Sequence, residues 1–165
     1  MQLRTVTLVS LIAALVFSLT VFAQQQPSPV RGVWQLIEVI PAGEATGQPA
    51  QPGQYMFSDS HYSFTRVTAN EPRKPVADRA QFAEMTVDQF RDLTQFVGEA
   101  GTYEAKGSEL VIHRTVALIP GNMVPGNAAT FSFDVRGDIL TMTPVTRVDG
   151  KPLQNNATLK FRRLE

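Results

Sequence analysis

Short runs of β-branched and aromatic residues recur along this chain, each ended by a compact turn. That punctuation limits the fold more than any other feature. "GVWQLIEVI" (32–40) stops at Pro41, and a loop rich in Gly, Pro and Gln, "PAGEATGQPAQPG", follows. "YMFS" and "HYSFTRV" flank the polar pair "DS", "TYEA" and "ELVIHRTVALI" flank "KGS", and "ATFSFDV" and "ILTMTPV" flank "RGD". "ATLKFRRL" closes the chain after "DGKP". Eight strands joined mostly by short turns predict an all-β protein, an eight-stranded antiparallel up-and-down barrel. A two-sheet sandwich shares the same pattern. The "RGD" at 136–138 reads as a hairpin turn, with Gly between two charged residues, and not as an adhesion motif.

One segment departs from this rhythm. In "TVDQFRDLTQFVG", Phe90, Leu93, Phe96 and Val97 fall at helical spacing, Thr86 and Gln89 form a capping box, and Gly98 supplies a stop. The spacing predicts one amphipathic helix over about 87–97, its Phe stripe packed on the core. "GEAG" (98–101) then reads as the helix stop. It lacks the Lys-Ser/Thr ending of a phosphate-binding loop.

The N-terminus reads as an address. Arg4 precedes the apolar run "TVTLVSLIAALVFSLTVFA", and Val21 and Ala23 occupy the small-residue positions before a cleavage point. This predicts a signal peptide over 1–23, a polar linker over 24–29, one domain over 30–165, and a secreted or periplasmic location. The run is also just long enough to be an uncleaved anchor. After cleavage no membrane contact is expected. A mature domain of this size can hold a core without disulfides, and the chain has no Cys. Lys plus Arg and Asp plus Glu are 15 each, and no long basic run stands out. Nucleic acid and anionic lipid are therefore not expected partners.

Gly32-Val33-Trp34 resembles the Gly-x-Trp signature that opens the first strand of lipocalins. There the Trp plugs the closed end of the barrel against a basic side chain of the last strand. The resemblance gives Trp34 that role, with Arg162 or Arg163 as its partner. Gly101-Thr102-Tyr103, Gly107, His113 and Leu118-Ile119-Pro120 are together similar to the pattern of the bacterial and fungal lipocalin-like domain family. The resemblance spans roughly 30–165 and implies a barrel with a small-molecule cavity, without naming a substrate.

His113 raises the question of which strand face lines such a cavity. Alternation groups Val111, His113, Thr115 and Ala117 on one side, and Leu110, Ile112, Arg114, Val116 and Leu118 on the other. Hydrophobicity alone would bury the second set and put His113 outside. The family pattern instead turns His113 toward a partly polar cavity, and we take that expectation forward. His113, His61, Ser63, Thr115 and Tyr103 are then the candidate ligand-binding residues. His61 alternates with Ser63 and Thr65. If both histidines face outward, Tyr62, Phe64, Phe131 and Phe133 fill an apolar core.

No Cys and no paired-His spacing give a metal site, so no metal ligands are expected. No nucleophile elbow and no cofactor motif occur, so neither a catalytic residue nor a cofactor is assigned. Two Gly/Pro-rich loops, 41–53 and 119–129, are candidates for the mouth, with Met123 and Val124 as a lid. The sequence favours an exported barrel that encloses a small, mainly apolar molecule. Its rivals are an isomerase or cyclase using His113 as acid–base, and an interaction module with a filled core.

Overall fold

A computed structural model describes residues 27–69, 71–73 and 83–165. The leader expected over 1–23 and the first half of the linker lie outside these residues. The described chain forms β1 (Gly32–Ile40), β2 (Gln48–Pro49), β3 (Gly53–Phe57), β4 (His61–Val67), α1 (Val87–Thr94), β5 (Phe96–Lys106), β6 (Glu109–Ala117), β7 (Ala129–Arg136), β8 (Ile139–Pro144) and β9 (Thr158–Arg163). Every pairing between these strands is antiparallel, and from β3 onward each strand pairs with the next in sequence. β1 pairs with β3 on one side and with β9 on the other, which closes eight long strands into a barrel. The two-residue β2 adds only a short rung beside Glu38 and Val39. No helix among the described residues is long and apolar enough to cross a membrane.

The two ends of the barrel differ because their connections differ. The tight turns at 58–60, 107–108 and 137–138 all lie at one end, beside the start of β1 and the end of β9. Gly137, with φ 60°, supplies the left-handed position that the "RGD" hairpin needs. This end is plugged. Val30 and Trp34 are fully buried, the Trp34 indole N–H donates to the Val30 carbonyl at 2.7 Å, and Arg163 stacks over the Trp34 ring at 4.0 Å. The other end carries the long connections 41–52, 68–95, 118–128 and 145–157. Both loops expected at a mouth therefore share one end.

Inside, alternate residues of each strand meet. Tyr55 stacks on Phe64 at 4.0 Å and on Phe57 at 5.0 Å, and Phe161 meets its edge at 5.4 Å. Leu110, Ile112, Leu140 and Met142 fill the opposite wall and are fully buried. Each such side chain contributes about 2 kcal/mol relative to exposure, so this packed half supplies most of the core's stability.

Two bulges reset the alternation. In β1, Leu36 faces Phe161 and Glu38 faces Lys160, leaving Ile37 as the extra residue. In β6, Arg114 faces Gly101 and Val116 faces Ala100, leaving Thr115 as the extra residue. Beyond Thr115 the faces swap, so Val116 and Leu118 point to solvent although they sit in register with the apolar set. A Cβ on Gly101 would overlap the His113 carbonyl oxygen at this bulge, so only glycine fits.

The helix differs from its expectation. It ends at Thr94 with Gln95 as C-cap, and Phe96 and Val97 already belong to β5. The Thr86–Gln89 capping box is present. None of the residues of α1 is buried, however, and Phe90 is 58% exposed, so the helical part of the stripe is not core, while Val97 packs on the core as part of β5. Likewise "GEAG" is not a helix stop but the middle of β5. Gly101→Ala should lower unfolding stability by about 2–3 kcal/mol through backbone overlap at the bulge. Urea denaturation of the variant against wild type measures this, and an unchanged midpoint would refute the steric argument.

Candidate functional site

The residues expected to line a cavity do not gather inside. His113 lies on the outer wall. Its neighbours Ile112 and Arg114 occupy the inward face, and its partner Thr102 alternates with the inward Gly101 and Tyr103. His61 pairs with the other side of Thr102 and is exposed, so both histidines share one outer rung. The His61 ring Nδ1 engages its neighbour Ser60 Oγ at 2.9 Å. Ser63 shares that outer face, and Thr115 is the exposed bulge residue. The expectation that His113 faces a cavity is therefore corrected: alternation is intact below the bulge, and burial of Leu110 and Ile112 fixes which face is inside.

Tyr103 does face inward. It is buried, and its hydroxyl donates to the Ser58 carbonyl at 2.7 Å near the plugged end. Trp34 and Arg163 meet as described, with Arg163 also donating to the Arg31 carbonyl at 2.7 Å. Arg162, the residue before it, is exposed on the outer face.

What the strands bring together instead is a buried polar cluster below the open end. Glu99 from β5 and Arg114 from β6 both point inward, and Arg114 Nε donates to Glu99 Oε2 at 2.6 Å. Their side chains are only 6% and 10% exposed, so the pair is shielded from screening by solvent. The Tyr62 hydroxyl donates a long hydrogen bond to the other carboxylate oxygen, Glu99 Oε1, at 3.3 Å. Arg114 Nη1 is buried and meets no acceptor among the described residues. Arg66, two residues beyond Phe64 on the inward face of β4, is half-buried and forms no ion pair among the described residues.

Burial pushes all three tyrosines of the chain to higher pKa. For Tyr55 the largest cause is desolvation, with the Glu99 charge adding to it; Arg114 and Arg66 pull the other way. Tyr62 is raised by desolvation first and then by Glu99. Tyr103 is raised mainly by burial. The Tyr62 and Tyr103 phenols thus keep the protons they donate to Glu99 and to the Ser58 carbonyl. Burial also lowers Arg66, since a desolvated guanidinium loses hydration.

A cleft of about 490 Å³ opens at the mouth, lined by Leu36 and Val39 of β1, Ala50 of the 41–52 loop, and Arg66, Val67 and Thr68 where β4 ends. A second depression, about 460 Å³, crosses the outer wall past Gln35, Gln54 and Thr65. Among the described residues, no group of three His, Cys, Asp or Glu side chains assembles as a metal would require. Sequence reading missed Glu99 because it took "GEAG" as a helix stop, and it missed Arg114 as an interior charge within an apolar set. The available signal was strand-based: extending "TYEA" back to Phe96 puts Glu99 in phase with Tyr103.

No known family model matches this chain, and neither does any curated protein. Among solved structures, it is similar to a lipocalin-like protein from Bacteroides uniformis, with 15% identity and a TM-score of 0.44, over 83% of this chain and 100% of that one. It is also similar to an uncharacterized protein from Bacteroides eggerthii, with 16% identity and a TM-score of 0.40, over 81% and 98%. The architecture stands on this chain's own strand pairing: a closed eight-stranded antiparallel barrel of lipocalin-like form, plugged by Trp34 and Arg163.

The buried pair makes a directional prediction. Arg114→Met alone leaves Glu99 as an unpaired buried carboxylate and should cost about 3–5 kcal/mol, while Glu99→Gln/Arg114→Met should recover most of that loss. Denaturant unfolding of the single and double variants checks it. The tyrosines make a second. Phenols in an unfolded chain ionise near pH ~10. Because the folded values are raised, the stability gained by keeping these phenols neutral is complete below about pH 10 and is lost as pH rises through the folded values. Tyrosinate absorbance should therefore appear only together with unfolding by circular dichroism; ionisation of the intact fold near pH ~10 would contradict it.

Proposed function

We propose that this chain is an exported binding protein that holds a small, mainly apolar molecule at the open end of its barrel. The observation that carries the reading is the cleft of about 490 Å³ between the inward face of β1 and the 41–52 loop. Concave sites with apolar walls and a few fixed polar groups are where small molecules are bound. Leu36, Val39, Ala50 and Val67 supply the apolar walls, and Arg66 supplies a polar group.

The surroundings support access by an apolar molecule. Phe90, Leu118, Ile119, Val124 and Val145 are all exposed, and all belong to the connections at this same end. The plugged half offers no comparable space, because Tyr55, Phe57, Phe64 and Phe161 fill it ring against ring. The ligand is thus expected to sit in the mouth, above the aromatic core. An enzyme using His113 inside the barrel has no support, since that imidazole is on the outer wall. The leader-like sequence at 1–23 is the basis for proposing export.

Native mass spectrometry of protein purified from its own host should show a retained small molecule. In vitro, Ala50→Trp should fill the cleft and weaken binding of an apolar fluorescent probe at least about tenfold, equivalent to ~1.4 kcal/mol, with unchanged circular dichroism. Equal binding by wild type and variant would place the ligand elsewhere and overturn the reading.

A further inference from the structure

We infer that the depression on the outer wall is a second binding site, and that it takes a short oligosaccharide laid across the strands. It is separate from the mouth cleft, with which it shares only Arg66 and Val67 of its lining. Strand register sets its floor. Gln35 of β1 stands opposite Gln54 of β3, Gln54 opposite Thr65 of β4, and Thr65 opposite Gly98 of β5. Each has a buried, inward-facing neighbour in its own strand (Trp34, Tyr55, Phe64 and Glu99), so the four positions face outward in one row. Gln35 and Thr65 are exposed and Gln54 is half-buried.

The row runs between two apolar ends. Leu164, just past β9, is exposed at one end, and Phe96 of β5 stands at the other, opposite Val67. A Cβ on Gly98 would come 3.1 Å from Phe96 Cε1, so the glycine leaves the ring room to lean along the wall. The Arg73 guanidinium stands 6.0 Å from the ring centroid, too far for close stacking. From β9 to β5 is four strand spacings of ~4.8 Å, a span of about 19 Å that suits several sugar rings and not one.

The chemistry of the lining selects the ligand. Gln35, Gln54 and Thr65 can each donate and accept, and among the described residues of the lining Arg66 alone is charged. With no carboxylate there, a metal or an amine has no counter-charge. An apolar molecule would cover two amides and a hydroxyl without giving them partners, a net loss. Nucleic acid needs a series of cations, and the lining supplies one. An extended peptide finds no backbone edge to join, because β1, β3, β4 and β5 are all hydrogen-bonded on both sides at this level. What fits is a molecule dense in hydroxyl groups, with flat C–H faces for Phe96 and Leu164 to cover. A pyranose has both, and an amide side chain matches neighbouring hydroxyls by donating to one and accepting from the next.

The test follows the side-chain amide resonances of Gln35 and Gln54 by NMR in the full mature chain. The probes are linear tetrasaccharides of glucose, xylose, mannose and galacturonic acid, each at millimolar concentration. At least one should shift both amides saturably. Phe96→Leu keeps an apolar side chain but removes the ring, and should weaken that binding at least about tenfold. Gln35→Ala/Gln54→Ala, followed through the Thr65 backbone amide, should weaken it by a similar factor. Both variants should keep the wild-type circular dichroism, since the altered side chains face outward. Ala50→Trp, which fills the mouth, should leave saccharide binding unchanged. If no tetrasaccharide shifts the amides, if the ring and amide variants bind as wild type does, or if Ala50→Trp abolishes binding, the outer-wall site is overturned. If an uncharged hydrophilic peptide shifts them and no sugar does, the depression is a protein-docking surface and saccharide recognition is refuted.

Discussion

β1 has to satisfy more neighbours than any other strand, and the barrel exists only because it does. It pairs with β3 along Gly32–Gln35 and with β9 along Trp34–Ile40, then takes β2 as a short third partner near its end. Trp34 and Gln35 pair with β3 and β9 at once, one on each edge of β1. Pairing with β3 ends at Gln35, and beyond the extra residue at Ile37 β1 stays on β9 while its other edge is taken by β2 and by Ala50, whose N–H donates to the Ile37 carbonyl at 3.1 Å. Glu38 anchors that arrangement, accepting from Lys160 Nζ at 2.8 Å and from the Gly47 backbone N–H at 2.7 Å. Both bonds hold its carboxyl below the usual range, the Lys160 bond most of all. Closure at the seam and the shape of the mouth are thus set by the same few residues.

From that seam the interior divides by height. Below, Trp34 and Arg163 seal the end, and stacked rings leave no room for a guest. Above, the inward positions change character from aromatic to charged: Phe64 is followed by Arg66, Tyr103 is preceded two rungs up by Glu99, and Ile112 is followed by Arg114. A buried ion pair is poor value as a stabiliser compared with apolar packing of the same volume. Directly above the aromatic core, the pair marks where apolar packing gives way to a polar upper barrel.

Much of the fold could be read from the sequence because turns and period-two runs are local signals. β1 and β4 fall on the runs expected, and three hairpins sit at "DS", "KGS" and "RGD". The site was far less legible, for two physical reasons. A bulge shifts alternation by one residue and has no composition of its own, so hydrophobicity alone grouped Val116 and Leu118 with the buried Leu110 and Ile112 although they are exposed. Phe96 and Val97 fit a helical stripe as well as they fit a strand, and assigning them to the helix removed Glu99 from β5. Without Glu99 in phase with Tyr103, nothing marked Arg114 as one of a pair. His113, conspicuous as one of two histidines, drew attention to the wrong face.

The position of the β6 bulge connects these points. Thr115 is expelled from the ladder immediately after Arg114, and the Gly101 opposite brings the two backbones close where any side chain would clash. Pairing between β6 and β7 also runs only from Glu109 to Ile112, so the wall loosens on the other side of Arg114 as well. The guanidinium therefore sits where the regular barrel ends: ordered below by the ladder to β5, and bordered above by the 118–128 loop, whose Met123 sulfur accepts from the Ala117 N–H. The charged pair thus marks the junction between a rigid wall and a loop-built rim, with the direction of the guanidinium set from the β5 side by Glu99.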